Sequence, residues 1–406
     1  MKKVFSKEIE YINIMGNNVL DLKYSETEDF LNEFKLKPGK TAIDTIIVGE
    51  PGGRTLGAMN TGIGEMSTSK KGIDFDNPLI QPGFPAKTIS DALPDLEKKY
   101  DRILILIGSQ SGNKATVCNE AQQIDNYLDN NDNEKIRMLF VTSNPDSIPG
   151  KIVKRHNGVI LNLKGKGDNI DPNNYKQAGF LGDLFETGAA VSLQTITEVV
   201  HKNGEVGDFY TTAEEHLKKI GSTIDEKINS KFFEKITDDM VTRSYAFLGG
   251  YAGLARTVSE TACVRDNQFK MLVRGKAFVM GESSTPSTMP GDIGIWTSLS
   301  GGKGKVYTEL GEGNPSYVVD WCKILQSRGG RSYSIVGTPN TPLEACTPKD
   351  NVLLLKEEAK PGEPARFYTD AFLVHGVIPN KAIEKAEKLG IIKYSADKMR
   401  EGHHIG

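Results

Sequence analysis

Short apolar runs that end in glycine and serine recur along this chain, and they constrain its fold more than any other feature. In the first half they are Asp44–Gly49, Arg102–Gly108, Ile136–Thr142 and Val159–Leu163. In the second they are Ser244–Gly249, Asp292–Thr297, Arg331–Gly337 and Asn351–Leu355. Each run has the length of a strand and is apolar nearly throughout, as expected for a strand buried on both faces of a parallel sheet. Helical patterns such as Asn113–Leu128 lie between the runs. Strand then helix, repeated, predicts right-handed βαβ crossovers and an α/β fold.

The punctuation repeats along with the runs. Ser109-Gln110-Ser111-Gly112 follows the second run of the first half, and Ser298-Leu299-Ser300-Gly301 follows the second run of the second half. An asparagine-containing turn follows the third run in both halves, at Ser143–Ser147 and at Thr338–Thr341. The matched landmarks are 200, 189 and 196 residues apart. Three landmarks in one order at nearly one offset indicate a duplication, and so two modules related by pseudo-twofold symmetry. Between them Ile220, Ile224, Ile228, Phe232 and Ile236 fall at every fourth position, which predicts one amphipathic helix over Gly207–Arg243 that packs the modules together. The expected division is a lead-in over 1–40, a first module over 41–205, the connecting helix over 206–243, a second module over 244–360 and a tail over 361–406. The lead-in is expected to be helical or to form a dimer contact.

Composition removes several classes of function. With 38% hydrophobic and 25% charged residues, the 406-residue chain can bury a sizeable core. A net charge of −3 gives no general attraction to nucleic acid or to an anionic membrane. No apolar run is long enough to span a bilayer, and the charged start MKKVFSKEIE does not suit a signal peptide, so a cytoplasmic protein is expected. The four cysteines show no CxxC spacing; reduced thiols are expected, with no structural metal and no disulfide framework.

In a parallel sheet, ligands meet the carboxyl ends of the strands, where glycine admits an anion and the next helix offers free N–H groups. Ser109, Gln110, Ser111, Gly112, Asn113, Lys114, Ala115 and Thr116, set between a strand and a helix, have the parts of a phosphate cradle. A serine-rich helix cap would use the same residues. No GxxxxGK[ST] occurs, and the glycines at Gly49–Gly53 and Gly249–Gly253 lack GxGxxG spacing.

These loops resemble those of the sugar isomerase (SIS) family in its double-domain form. That form is seen in the isomerase half of glucosamine-6-phosphate synthase and in galactosamine-6-phosphate deaminase/isomerases. Ser109-Gln110-Ser111-Gly112 is similar to the family's SxSGxT phosphate loop, with Lys114 at the threonine position and Thr116 nearby. Ser143-Asn144 with Ser147 resembles its second ligand turn. Phe185–Val191 resembles the segment that opens a long helix after the fourth strand, and Phe247-Leu248-Gly249-Gly250 with Glu260 resembles the FLGxG…E stretch. The similarity runs from about Asp44 to Leu355. It implies two flavodoxin-like three-layer modules, a sugar-phosphate ligand, no cofactor and a homodimer.

The resemblance makes Glu260 the base of an enediol proton transfer; Glu186, at the junction of a strand and a helix, is the alternative base, against the reading of a helix-start acid that stabilises the dipole. Where family enzymes carry a ring-opening histidine, this chain reads Gly281–Pro286 with none, so His375 is the candidate replacement, against the alternative of a satisfied core histidine. Gly52, Gly53 and Arg54 form a further candidate ligand turn. His403 and His404 read as surface residues, and Lys393 and Lys398 stand near the end, where some relatives place an active-site lysine. The expected function is a phosphosugar aldose–ketose isomerase, or an amino-sugar-phosphate isomerase/deaminase; the alternative is a non-catalytic phosphosugar sensor.

Overall fold

The computed structural model describes residues 3–35, 45–51, 55–64, 74–76, 88–131, 134–165, 170–250, 253–280, 288–303, 316–357 and 363–396. Gly52, Gly53, Arg54, Gly281–Pro286, Lys398, His403 and His404 lie outside them.

In chain order the elements are α1 (Glu10–Leu20), α2 (Tyr24–Phe34), β1 (Thr45–Pro51), α3 (Thr55–Ile63), β2 (Asp74–Asp76), α4 (Ile89–Lys99), β3 (Arg102–Gly108), α5 (Ala115–Asn130), β4 (Ile136–Thr142), α6 (Ile148–Arg155), β5 (Val159–Asn162) and α7 (Tyr175–Ala178). There follow α8 (Leu184–His201), α9 (Val206–Lys227), α10 (Lys231–Thr242), β6 (Tyr245–Gly249), α11 (Gly253–Leu272), β7 (Lys276–Val279), β8 (Ile293–Ser298), α12 (Ser316–Ser327), β9 (Arg331–Val336), α13 (Pro342–Cys346), β10 (Val352–Leu354) and α14 (Phe367–Lys388).

The chain forms two compact units. The first comprises residues 1–16, 166–187 and 215–406, and the second comprises 17–165 and 188–214. Each has one five-stranded sheet with every pairing parallel. In the second unit the order is β2-β1-β3-β4-β5; in the first it is β7-β6-β8-β9-β10. Counted within each sheet, both orders are 2-1-3-4-5. This is the doubly wound arrangement in which the direction of winding reverses between strands 1 and 3 and opens a crevice at their carboxyl ends.

The apolar runs sit where their composition demands. Ile103 to Ile107 of β3 are all buried. Ile103, Ile105 and Ile107 face Ile89 and Leu93 of α4 and Val117, Ala121 and Ile124 of α5. In the first unit, Phe247, Trp296 and Val336 of the sheet pack with Val318, Trp321, Cys322 and Leu325 of α12. Two strands have no counterpart among the apolar runs. β2 has only three residues, and β7, at the sheet edge, keeps Phe278 and Val279 exposed.

The single helix expected over Gly207–Arg243 is in fact two, α9 and α10, with residues 228–230 between them. At 3.6 residues per turn, positions four apart drift by about 40° per step, so five such positions cannot share one face of a straight helix. The break resets the phase, and Ile220, Ile224, Ile228, Phe232 and Ile236 are all buried.

Candidate functional site

The loop after β3 is held in shape by the turn after β4. Ser109 Oγ accepts from the Gly112 N–H at 3.2 Å, closing the loop on itself. The Gln110 carbonyl accepts from Ser143 N–H at 3.0 Å, Ser143 Oγ at 2.9 Å and Thr142 Oγ1 at 3.0 Å. Asn144 Nδ2 donates to the Ser111 carbonyl at 3.0 Å. Gly112 has φ +63° and lies against Ser147, whose hydroxyl a methyl group there would overlap. Ser147 caps α6, accepting from the Gly150 N–H at 3.4 Å.

The hydroxyls of Ser109, Ser143 and Ser147 are therefore engaged in shaping the loop. Ser111, Lys114 and Thr116 are exposed. Ser111 Oγ accepts from the Asn113 N–H at 3.3 Å, which leaves its own proton to donate. Lys114 occupies the N-cap of the 16-residue helix α5 without a side-chain cap bond, so the first turn of α5 has no capping oxygen from that residue.

The loop after β8 repeats the core of this clasp. Ser298 Oγ accepts from the Gly301 N–H at 2.9 Å. The Thr338 N–H donates to the Leu299 carbonyl at 2.9 Å, as Ser143 does to Gln110. Gly301 has φ +55° and lies against Thr341, which caps α13. The two clasps differ at their third residue. Ser300 is wholly buried where Ser111 is exposed, and Lys303 Nζ is tied to the Pro339 carbonyl at 2.7 Å.

The candidate catalytic residues all fall in the first unit. Glu260, on α11, is partly exposed and pairs with Arg256 Nε at 2.7 Å, one turn away on the same helix. Glu186, in the first turn of α8, is 6% exposed. His375, inside α14, is 1% exposed and its Nε2 lies 2.8 Å from Thr297 Oγ1. Burial, with a smaller contribution from the Arg265 charge, pulls His375 down to about 3, so the imidazole is neutral at pH 7. That is the geometry of a core histidine with one satisfied nitrogen. Lys393 lies among the described residues after α14.

A buried polar cluster in the same unit has no signature in the sequence. Arg265 of α11 is fully buried, with Nη2 3.0 Å from Asp183 Oδ2 and Nη1 donating to the Phe372 carbonyl at 3.1 Å. Its guanidinium carbon lies 4.0 Å from the centre of the Phe372 ring. Burial and the Asp183 charge raise the Tyr11 phenol. Gly376 makes room for the cluster: a methyl there would stand 3.0 Å from Tyr11 Oη and 3.1 Å from Asp183 Oδ2. Asp183 ends a tight turn in which Gly179, Leu181 and Gly182 have φ +71°, +55° and +75°. Its carbonyl accepts from Thr187, so the ion pair anchors the start of α8 and with it Glu186. Only the glycines of Ala178–Asp183 marked this turn in advance.

The fold is shared with solved structures of sugar-phosphate enzymes. The C-terminal domain of glucosamine-fructose-6-phosphate aminotransferase from Francisella tularensis superposes with TM-score 0.59 at 14% identity, over 95% of this chain and 96% of that one. Tagatose-6-phosphate ketose/aldose isomerase from Escherichia coli gives 0.61 at 12% identity, over 94% and 93%. No protein-family model and no curated protein matches the sequence. The double sugar-isomerase fold that the loops resemble is the fold the chain has.

Proposed function

We propose that this chain binds a phosphorylated sugar through the loop Ser109–Thr116 and interconverts its aldose and ketose forms. One observation carries the binding site: of two matching clasps, only the loop after β3 turns its third residue, Ser111, outward beside a helix start without a side-chain cap. A phosphate there would take a hydroxyl donor from Ser111, N–H groups from the first turn of α5 and charge from Lys114. Thr116 is a further donor. Gln110, Ser143, Asn144 and Ser147 hold the loop open. The kinship in fold with a named ketose/aldose isomerase supports the reaction class.

Ser111→Ala removes one donor to a charged group, a bond worth roughly 1.5–3 kcal/mol. Affinity for a sugar phosphate should fall about tenfold or more, with little change for the unphosphorylated sugar. The melting temperature should hold. Ser109→Ala should do the reverse, since its hydroxyl closes the loop, and cost about 1 kcal/mol of stability. Calorimetric titration and thermal melts on both variants check this; a Ser111→Ala protein that melts early yet binds normally removes the site.

Proton transfer through an enediol needs a carboxylate base, for which Glu260 and Glu186 are proposed. Deuterium should pass from solvent to C1 or C2 of a sugar phosphate, and Glu260→Gln or Glu186→Gln should slow it at least about 100-fold. The second reading, a phosphosugar sensor, is favoured by the lack of histidine in Gly281–Pro286 and the deep burial of His375. Tight binding without any exchange in the unaltered protein selects the sensor. A homodimer is also proposed; light scattering at micromolar concentration tests it.

A further inference from the structure

We propose that Cys322 and Cys346 form a redox-modification site at which a hydroperoxide closes a disulfide between α12 and α13. Cys322 lies on the buried face of α12, and Cys346 is the last residue of α13 and only half-buried. Cys346 Sγ donates to the Leu343 carbonyl at 3.2 Å, and its thiol and that of Cys322 are near enough to perturb one another. Cys322 Sγ also lies 3.8 Å from the Cys346 carbonyl oxygen and 3.6 Å from Thr347 Oγ1. Gln326 Nε2 spans the pair, donating to Cys322 Sγ at 3.1 Å and to the Cys346 carbonyl at 2.7 Å.

Donors converging on one sulfur favour its thiolate. The neighbouring Cys346 thiol, followed by the surrounding polar groups, outweighs burial and lowers the Cys322 thiol, while Cys346 is raised. Burial pushes Cys263 up to about 12 and also raises Cys118, whose thiol is engaged with the Gly112 carbonyl. The pair therefore combines a nucleophilic sulfur with a resolving sulfur beside it.

The chemistry closes with hydrogen peroxide as the oxidant. The Cys322 thiolate attacks one peroxide oxygen, the O–O bond breaks, and hydroxide leaves to take up a proton as water. The Cys346 sulfur then attacks the sulfenic sulfur, the S–O bond breaks, and a second water leaves. Two thiols lose two electrons and two protons, and one peroxide becomes two waters. The bond would tie α12 to the short helix whose N-cap, Thr341, seats against Gly301, so oxidation would stiffen the clasp after β8.

Trypsin places the two cysteines in separate peptides, 306–323 and 332–349. The folded full chain is treated with a modest excess of hydrogen peroxide, alkylated, digested without reductant and mapped by mass. The expected product is 306–323 linked to 332–349, two hydrogens lighter than the free pair. Two of the four cysteines should lose alkylation, and reductant should restore both. In Cys346→Ser the link should vanish and dimedone should trap a sulfenic acid at Cys322. The proposal is overturned if Cys118 or Cys263 oxidises while 322 and 346 stay alkylatable. It is equally overturned if that pair over-oxidises to sulfinic acid without a linked peptide. Because the deciding measurement is made on the unaltered chain, a variant that misfolds does not blunt the test.

Discussion

His375 shows how burial, more than any charge beside it, sets the chemistry of a residue. Its neutral form is held in the core beside Thr297, and its native proton affinity lies far below that of an exposed imidazole. As pH falls below about 6.5 the unfolded chain takes up a proton that the folded chain refuses, so stability declines toward the native value of about 3. The slope approaches roughly 1.4 kcal/mol per pH unit. Asp266 has the opposite sign. Burial raises its carboxyl to about 7, so the folded state binds the extra proton and loses stability as pH rises from about 4 to 7. Comparing the parent with His375→Gln isolates the histidine. In urea melts the parent should lose stability relative to the variant as pH drops from about 6.5 to 4.5, and parallel profiles would show that the imidazole is not buried neutral. The sequence placed His375 in an apolar stretch and so anticipated its burial. It gave no hint of Arg265 and Asp183, because a buried ion pair drawn from two distant segments has no local pattern.

Elements were legible where periodicity and punctuation agreed. The runs at Arg102, Ile136 and Arg331 are strands because parallel sheets bury both faces. β2 and β7 were missed because edge strands need no continuous apolar run. The clasp was legible as a set of loops but not as bonds: Thr142, which gives its hydroxyl to the Gln110 carbonyl, looked like an ordinary strand end. Helix ends show one local rule broken. α11 closes with Gly275 N–H on the Lys270 carbonyl at 2.7 Å and Arg274 N–H on the Met271 carbonyl at 3.4 Å, the paired bonds of a Schellman ending. Arg274 holds φ +59°, where glycine is the usual occupant, and is exposed. The left-handed conformation costs a non-glycine residue roughly 1–2 kcal/mol, while glycine adds back about 0.5–1 in unfolded-state entropy. Arg274→Gly should therefore raise stability by up to about 1 kcal/mol, seen as a higher melting temperature; a fall would mean that the arginine side chain contributes a contact of its own.

At the scale of the molecule, the order of the strands repeats but the division of the chain does not follow the repeat. The second unit includes residues 188–214 and the first includes 1–16 and 166–187. A cut at residue 205, where the sequence duplication invites one, removes Val206, Phe209 and Ala213, all buried, from the second unit. Losing the buried Phe209 ring alone costs about 3–5 kcal/mol, and Val206 adds to it, a large share of a domain's stability. A fragment of residues 1–205 should melt without a cooperative transition by circular dichroism. A sharp transition in that fragment would show that 206–214 are dispensable.

The same division has a consequence in time. Tyr11, Ile12 and Met15 are fully buried in a unit whose sheet begins only at Tyr245. A ribosome adding roughly 5–20 residues per second needs on the order of ten seconds to a minute to reach that sheet. By residue 214 the second unit has all of its chain and can close, while residues 1–16 still wait for the sheet of the first unit, to which they belong. The buried side chains of Tyr11, Ile12 and Met15 therefore find their final surroundings later than the core of the second unit does.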